Sequence, residues 1–210
     1  MESMISQNPP ASTSGQLWED HVTHVQQVAS KFSFWVLLLP AALCAWIGTQ
    51  SQSPLWEYTL KPYQETYAPA VLMAAVGLAA TMWIVRRGFF YRWLTILSVC
   101  LLCREFHFWG TSTGIYIAIP LVMWYASANF DSMKPYVNHR LLVSLFVGAF
   151  ITYFFTITVD RAVWKFLPNH SHWRNNVEET LETLGHLMIV AVIIISAFLP
   201  QGKTRADAAS

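Results

Sequence analysis

Charged residues are scarce in this chain. Lys, Arg, Asp and Glu together make up 12% of the 210 residues, whereas a soluble domain usually carries about 25%. Hydrophobic residues make up 54%, and a water-soluble protein needs more polar groups than this to cover its surface. The scarcity of charge therefore excludes an ordinary soluble domain and indicates an integral membrane protein.

Basic clusters, cysteine pairs and a cleavable leader are also missing. No run of Lys and Arg is longer than two, and the net charge is +1, so nucleic acid is excluded as a partner. The three cysteines, Cys44, Cys100 and Cys103, lie inside apolar segments, which argues against a disulfide framework. The polar N-terminal region contains no apolar segment followed by a small-residue cleavage site, so we expect no removable signal peptide.

Long apolar segments dominate the remaining sequence. A helix of about 20 apolar residues crosses the ~30 Å hydrocarbon core of a bilayer, and six such segments occur, at residues 32–49, 67–85, 89–109, 112–128, 141–159 and 177–199. They predict an all-α integral membrane protein, a bundle of six transmembrane helices spanning 32–199. Residues 1–31 are expected to form a cytoplasmic tail with a short amphipathic helix, and residues 200–210 a second tail. The amphipathic segment fits a helix on the membrane surface as well as a solvated lead-in.

The distribution of Lys and Arg predicts the orientation. If the N-terminus is inside, eight of these residues lie on the cytoplasmic side and five outside. That bias is the positive-inside pattern and favours N-in/C-in. We expect the plasma membrane, which is the inner membrane of a bacterium, with the lipid bilayer as partner. A homo-oligomer or a larger membrane complex stays open.

The second span contains small residues four apart, which let helix backbones approach closely in lipid. Ala75 with Ala79 and Gly77 with Thr81 are therefore expected to form a packing face. Pro69 is placed in the first turn of that span, where a missing N–H is tolerated. Pro120 predicts a kink in the fourth span.

Ionisable residues end the third predicted span. Such a side chain costs roughly 2.5–3.5 kcal/mol at the centre of a membrane helix on insertion scales. The span ends with Arg104, Glu105 and His107. At about 100° per residue, Cys100, Cys103 and His107 share one face that Arg104 borders, whereas Glu105 points roughly the other way.

A second polar stripe opens the sixth span. Glu178, Glu182 and His186 are spaced four apart and so lie on one helix face. Asn176 with Glu179 three residues later resembles a capping box, which would explain Glu178 and Glu179 by the helix start. Glu182 and His186 lie beyond that turn, so we expect a functional role or a buried network for them.

The predicted topology places both polar stripes on the outer side, where Asp160 follows the fifth span. We expect His107 and His186 to meet there, with Glu182 or Glu105 as a hydrogen-bonding neighbour. The candidate catalytic residues are Glu182 and Glu105, the candidate metal ligands are His107, His186 and Asp160, and the candidate ion-pair or anion contact is Arg104.

Several function classes fit such a cluster. Its nitrogen and oxygen donors suit a zinc site, which could be hydrolytic, although no zinc-hydrolase motif is present. Intramembrane Glu, His and Arg also build proton- or ion-coupled transporters. His107 and His186 could instead ligate a b-type haem, or the chain could be a non-catalytic assembly subunit. The sequence does not decide whether zinc or haem is bound, nor whether the protein is an enzyme.

Overall fold

The computed structural model describes residues 14–49, 61–106, 111–161, 163–166 and 170–199, and these residues form α-helices with no β-strand. A 3-10 turn, Phe34–Leu37, precedes the second helix. The helices are α1 Ser14–Lys31, α2 Leu38–Thr49, α3 Lys61–Arg86, α4 Phe89–Glu105, α5 Thr111–Ala128, α6 Phe130–Val137, α7 Arg140–Asp160 and α8 His170–Ala197.

Three helical segments are long and apolar enough to cross a membrane, Pro62–Arg86, Arg140–Asp160 and Trp173–Ala197. A fourth span exists if α1 and the helix after it, which meet at a bend of 70°, are taken as one broken span. At the fourth predicted span the apolar stretch of α5 is Gly114–Ala128, shorter than these three, and α4 has 17 residues. The described part of the chain thus supports an all-helical protein with three or four candidate membrane-spanning helices.

The helices α3 and α8 run in one direction and α4 runs in the opposite one. Near one end of the bundle Arg104 of α4 contacts Glu182 of α8, and near the other Tyr91 donates to the carbonyl of Ser196, so α4 and α8 are antiparallel. The helix α3 is parallel to α8, because Thr183 bonds to Gln64 and the carbonyl of Ala197 accepts from Arg86. The N-terminal part of α8 therefore lies beside the C-terminal end of α4.

Half of the predicted packing face on α3 is confirmed. Ala75 and Ala79 are completely buried, as expected where small residues let backbones approach. Gly77 and Thr81 are exposed, and the prediction that they belong to the same face is wrong. Four-residue spacing aligns the members of each pair, but the two pairs lie two residues apart and so point to opposite sides of the helix.

Two helices begin earlier than predicted. The helix α3 starts at Lys61, so Pro69 lies inside it and not in its first turn. The helix α8 starts at His170, which places Asn176 and Glu179 well inside the helix. The capping-box interpretation is therefore wrong, and helix capping does not account for Glu178 or Glu179.

The N-terminal helix α1 packs against the bundle. The His24 ring stacks on Phe130 of α6 with centroids 3.9 Å apart, and Nδ1 of His21 and of His24 lie 2.5 and 3.1 Å from Oγ of Ser127. The short helix α6 was not predicted, because Pro135 and its polar neighbours are typical of a loop. These contacts show that α1 is docked on the bundle.

A tight link joins α3 to α4 at the end of the bundle that is opposite to Arg104 and Glu182. Arg87 has a φ of 49°, and Gly88 follows it as the N-cap of α4. The neighbouring Arg86 turns to α8 and donates Nη1 to the carbonyl of Leu199 at 3.1 Å and Nη2 to that of Ala197. An arginine of one helix thereby satisfies carbonyls that the end of another leaves without helical donors.

Candidate functional site

Six polar side chains meet where the C-terminal ends of α4 and α7 lie beside the N-terminal half of α8. They are Arg104, Glu105, Tyr153, Thr156, Glu182 and His186, and we refer to them as the outer cluster, after the side of the membrane on which the sequence predicts them. Most of their surroundings are apolar residues of the same helices. Polar groups in such a setting are stable only when they satisfy one another.

Arg104 is the centre of the charged part of the outer cluster. Its Nη2 donates to Oε1 of Glu182, and its Nη1 lies 3.6 Å from Oε1 of Glu105. The Glu182 side chain is 10% exposed and that of Arg104 31%, so one arginine bridges a carboxylate of α8 and one of its own helix. The prediction that Glu105 points away is wrong, because Arg104 and Glu105, in the last turn of α4, both reach α8.

His186 is completely buried and lies between a carboxylate and a phenol. Its Nδ1 is 2.7 Å from the hydroxyl of Tyr153. Its Nε2 is 3.4 Å from Oε1 of Glu105, within ion-pair distance, but it makes no hydrogen bond of acceptable geometry. A buried imidazole nitrogen therefore faces a carboxylate oxygen just beyond good bonding distance.

Gly185 allows Tyr153 to reach His186. A Cβ on Gly185 would lie 2.5 Å from Cε1 and 2.8 Å from Cζ of the Tyr153 ring, which is closer than real contacts allow. The tyrosine ring thus lies directly on the backbone of α8. Because Gly185 has no side chain, the Tyr153 hydroxyl can lie where it bonds to His186, the next residue of α8.

Thr156, one turn after Tyr153 on α7, lies near the Glu182 carboxylate. Its hydroxyl oxygen is 2.8 Å from the carbonyl of Tyr153 and 3.4 Å from Oε1 of Glu182. A threonine has one proton to donate, so the closer carbonyl is its acceptor. Glu182 therefore depends mainly on Arg104 for compensation of its charge.

With both carboxyl groups ionised and His186 neutral, the outer cluster would carry one excess negative charge, since Arg104 faces both Glu105 and Glu182. A neutral imidazole donates from one nitrogen only. Because Nε2 faces a carboxylate, we assign the proton to Nε2 and the donor role at Nδ1 to Tyr153. A further proton can enter at Nδ1 if the Tyr153 hydroxyl then accepts, which would make the cluster neutral.

The remaining predicted site residues lie away from the outer cluster or outside the residues that the structure describes. His107 lies outside the described residues, so its predicted meeting with His186 stays a prediction. Asp160 is exposed at the end of α7 and takes part in none of the cluster contacts above. Within residues 14–49, 61–106, 111–161, 163–166 and 170–199, no group of three His, Cys, Asp or Glu side chains is placed to hold a metal ion.

Tyr153, Thr156 and Gly185 were missed by sequence reasoning. Tyr153 and Thr156 are three apart in an otherwise apolar span and so share a helix face, but tyrosine and threonine are common in membrane helices. The glycine before His186 was the stronger signal, because a glycine inside a helix needs a reason such as close packing.

Comparisons with protein-family models, with curated proteins and with solved structures found no match.

Proposed function

We propose that this protein is a proton-coupled membrane transporter whose proton-binding centre is His186 with Glu105. The observation that carries the proposal is the buried Nε2 of His186, 3.4 Å from the Glu105 carboxylate, in a cluster with one excess negative charge. Such a charge is costly in a low-dielectric setting. One additional proton removes it.

Tyr153 supports the proposal because its hydroxyl can either donate to Nδ1 of His186 or accept from it. The proton can then bind without leaving a buried nitrogen unsatisfied, at the 2.7 Å contact described above. Proton binding would also weaken the attraction between Glu105 and Arg104, because a His186–Glu105 pair without net charge attracts the guanidinium less. The proton is thus coupled to a side chain that borders a cavity.

That cavity is the proposed position of the transported species. It measures about 310 Å³, lies between α4, α5 and α7, and is bordered by Arg104, Tyr116 and Tyr153, with apolar residues forming the remaining wall. Alternating access requires one binding centre that opens to each side in turn. A continuous chain of ionisable groups across the membrane is not needed.

The proposed topology is the six-span bundle with both termini inside. The alternating directions of α3, α4, α7 and α8 support it, as does the excess of Lys and Arg on the cytoplasmic side. In this orientation the outer cluster opens to the outside, and Arg86 with its link to α4 lies at the cytoplasmic face. We place the protein in the plasma membrane.

Two measurements test the proposal. The first is infrared difference spectroscopy of the purified protein between pH 5 and pH 9, and the second is transport by the protein in proteoliposomes. We expect carboxyl and imidazole bands that disappear in Glu105→Gln and His186→Ala respectively. Amino acids, monocarboxylates, sugars and organic cations, each supplied with a pH gradient, should include one that gives proton-coupled current. Tyr67→Phe is the matched control, because Tyr67 of α3 is 43% exposed and lines neither this cavity nor the outer cluster.

Any of three results would overturn the proposal. The first is the absence of any buried protonation step that depends on His186 or Glu105, together with no proton-coupled current for the panel. The second is stoichiometric zinc in elemental analysis that is lost in His186→Ala, which would favour the metal site predicted from the sequence. A Soret band lost in the same variant would favour haem.

A further inference from the structure

A second cavity lies at the opposite end of the bundle, under α1. It measures about 450 Å³ and is enclosed by α1, by the N-terminal ends of α4 and α7, by the C-terminal end of α5 and by α6. Its wall includes Phe90, Trp93, Met123, Val143 and Phe146. Cavities of about 300–1,000 Å³ with mostly apolar walls are typical of small-ligand sites.

The hydroxyl of Ser127 and the indole N–H of Trp93, two of the few polar groups at this cavity, already have partners. Oγ of Ser127 lies within hydrogen-bond distance of Nδ1 of both His21 and His24, and the indole Nε1 of Trp93 donates to the carbonyl of Val122 at 2.9 Å. A buried water needs two to four polar partners, and cavities without them stay dry. The cavity is therefore suited to hydrocarbon and unsuited to water.

The mouth of the cavity opens at the helix ends that α1 covers. Val25 and Ala29 of α1 line it and are exposed, as is Trp18, which is 70% exposed on the same helix. An amphipathic helix with exposed tryptophan and valine is typical of the boundary between headgroups and acyl chains. The apolar species at that level are the chains of membrane lipids.

The charge at the mouth favours an esterified chain over a free fatty acid. Burial is the main influence that lowers the pKa of His24 below its ordinary value, so its imidazole is neutral near pH 7. Lys134 is ion-paired to Asp131 at 2.6 Å. A carboxylate entering beside His24 would therefore meet a neutral imidazole and a lysine already paired with Asp131, whereas an ester carries no charge that needs a partner.

We propose that this cavity binds one acyl chain of a membrane phospholipid, with its ester end near His24 and Ser127. The chain would pass beneath α1 and contact Trp93. It would fill the space between α1 and the bundle and so hold α1 in its docked position. This site is separate from the outer cluster, and the proposal does not depend on transport.

Quenching of Trp93 by phospholipids brominated along the acyl chain tests the proposal. The emission of Trp93 is obtained as the difference between the protein and its Trp93→Phe variant, both in nanodiscs. We expect brominated phosphatidylcholine to remove most of that difference emission. Ala126→Phe, which fills the cavity, should restore it, whereas Ala74→Phe on the exposed side of α3 should not.

Ala29→Leu at the mouth is a second blocking variant if Ala126→Phe does not fold. Equal Trp93 emission in plain and brominated phospholipid would overturn the proposal. Quenching by brominated free fatty acid in plain nanodiscs, without quenching by the phospholipid, would also overturn it. Quenching that survives both blocking variants would show that lipid reaches Trp93 from outside the cavity, with the same consequence.

Discussion

The hydroxyl of Tyr153 lies 2.7 Å from Nδ1 of His186, and it reaches that nitrogen across the bare backbone of Gly185. The contact joins the middle of α7 to the middle of α8 at a buried position. It therefore links helix packing to the protonation of the imidazole. A substitution on either helix can disturb it.

Gly185→Ala should push the Tyr153 ring away and lower the stability of the protein. The added methyl group meets the ring at 2.5 Å, and overpacking of this kind typically costs about 1–3 kcal/mol. The measurement is thermal unfolding in detergent. Gly77→Ala is the matched control, because nothing lies within 4 Å of its added Cβ and alanine is the better helix former. Equal melting of the two variants would contradict the packing described here.

Tyr153→Phe should keep the packing and remove the hydrogen bond. It leaves Nδ1 of the buried His186 without its partner, and an unsatisfied buried polar group costs about 1–3 kcal/mol. The protonation step of His186 should also move, which infrared titration can follow. Tyr67→Phe should change neither quantity. A protonation step unaltered in Tyr153→Phe would show that the phenol does not control the imidazole.

Arg104→Met should be the most destabilising single change in the outer cluster. It leaves Glu105 and Glu182 buried without their cation, and breaking a buried pair from one side costs roughly 3–5 kcal/mol. Adding Glu182→Gln should recover part of the loss, as a double-mutant cycle can show. The exposed pair Asp131 and Lys134 is the control, and Lys134→Met should leave the melting temperature unchanged. Additive effects of Arg104→Met and Glu182→Gln would contradict the ion pair.

Acidification should loosen α1. Burial lowers the pKa of His24 in the docked state, and undocking returns it toward about 6.5. The undocked state then binds more protons, so docking is strongest above pH ~6.5 and weakens as the pH falls through the lowered pKa. The distribution of distances between spin labels at Gln26 and Ser132 should broaden as the pH is lowered from about 7 to about 5. His24→Gln should remove that pH dependence, and its persistence in this variant would assign it to another group.

The sequence predicted the long helices well where apolar runs were unbroken. The cores of α3, α7 and α8 follow directly from their hydropathy, because a bilayer imposes length and apolarity on a spanning segment. Helix starts were predicted poorly. Lys61 and His170 begin helices inside polar segments, where apolarity gives no signal and the helix extends beyond the apolar stretch.

The outer cluster was only partly accessible from sequence. Arg104, Glu182 and His186 were recognised because charges in a membrane span require a reason. The orientation of Glu105 was predicted wrongly, because a wheel projection ignores how far a side chain can bend in the last turn of a helix. Tyr153 could not be assigned, since its role depends on which helix lies opposite, and one sequence contains no information about that.

The contact between Arg86 and the end of α8 has a consequence for how the protein is made. The arginine leaves the ribosome about 110 residues before the carbonyls of Ala197 and Leu199 that accept from it, and synthesis proceeds from the N-terminus. Until α8 has been inserted, α3 therefore lacks one of the two helices that pack along it, the other being α4. A chain that stops before α8 would leave the faces of α3 and α7 that pack on this helix uncovered, so we expect the assembled bundle to depend on the insertion of α8.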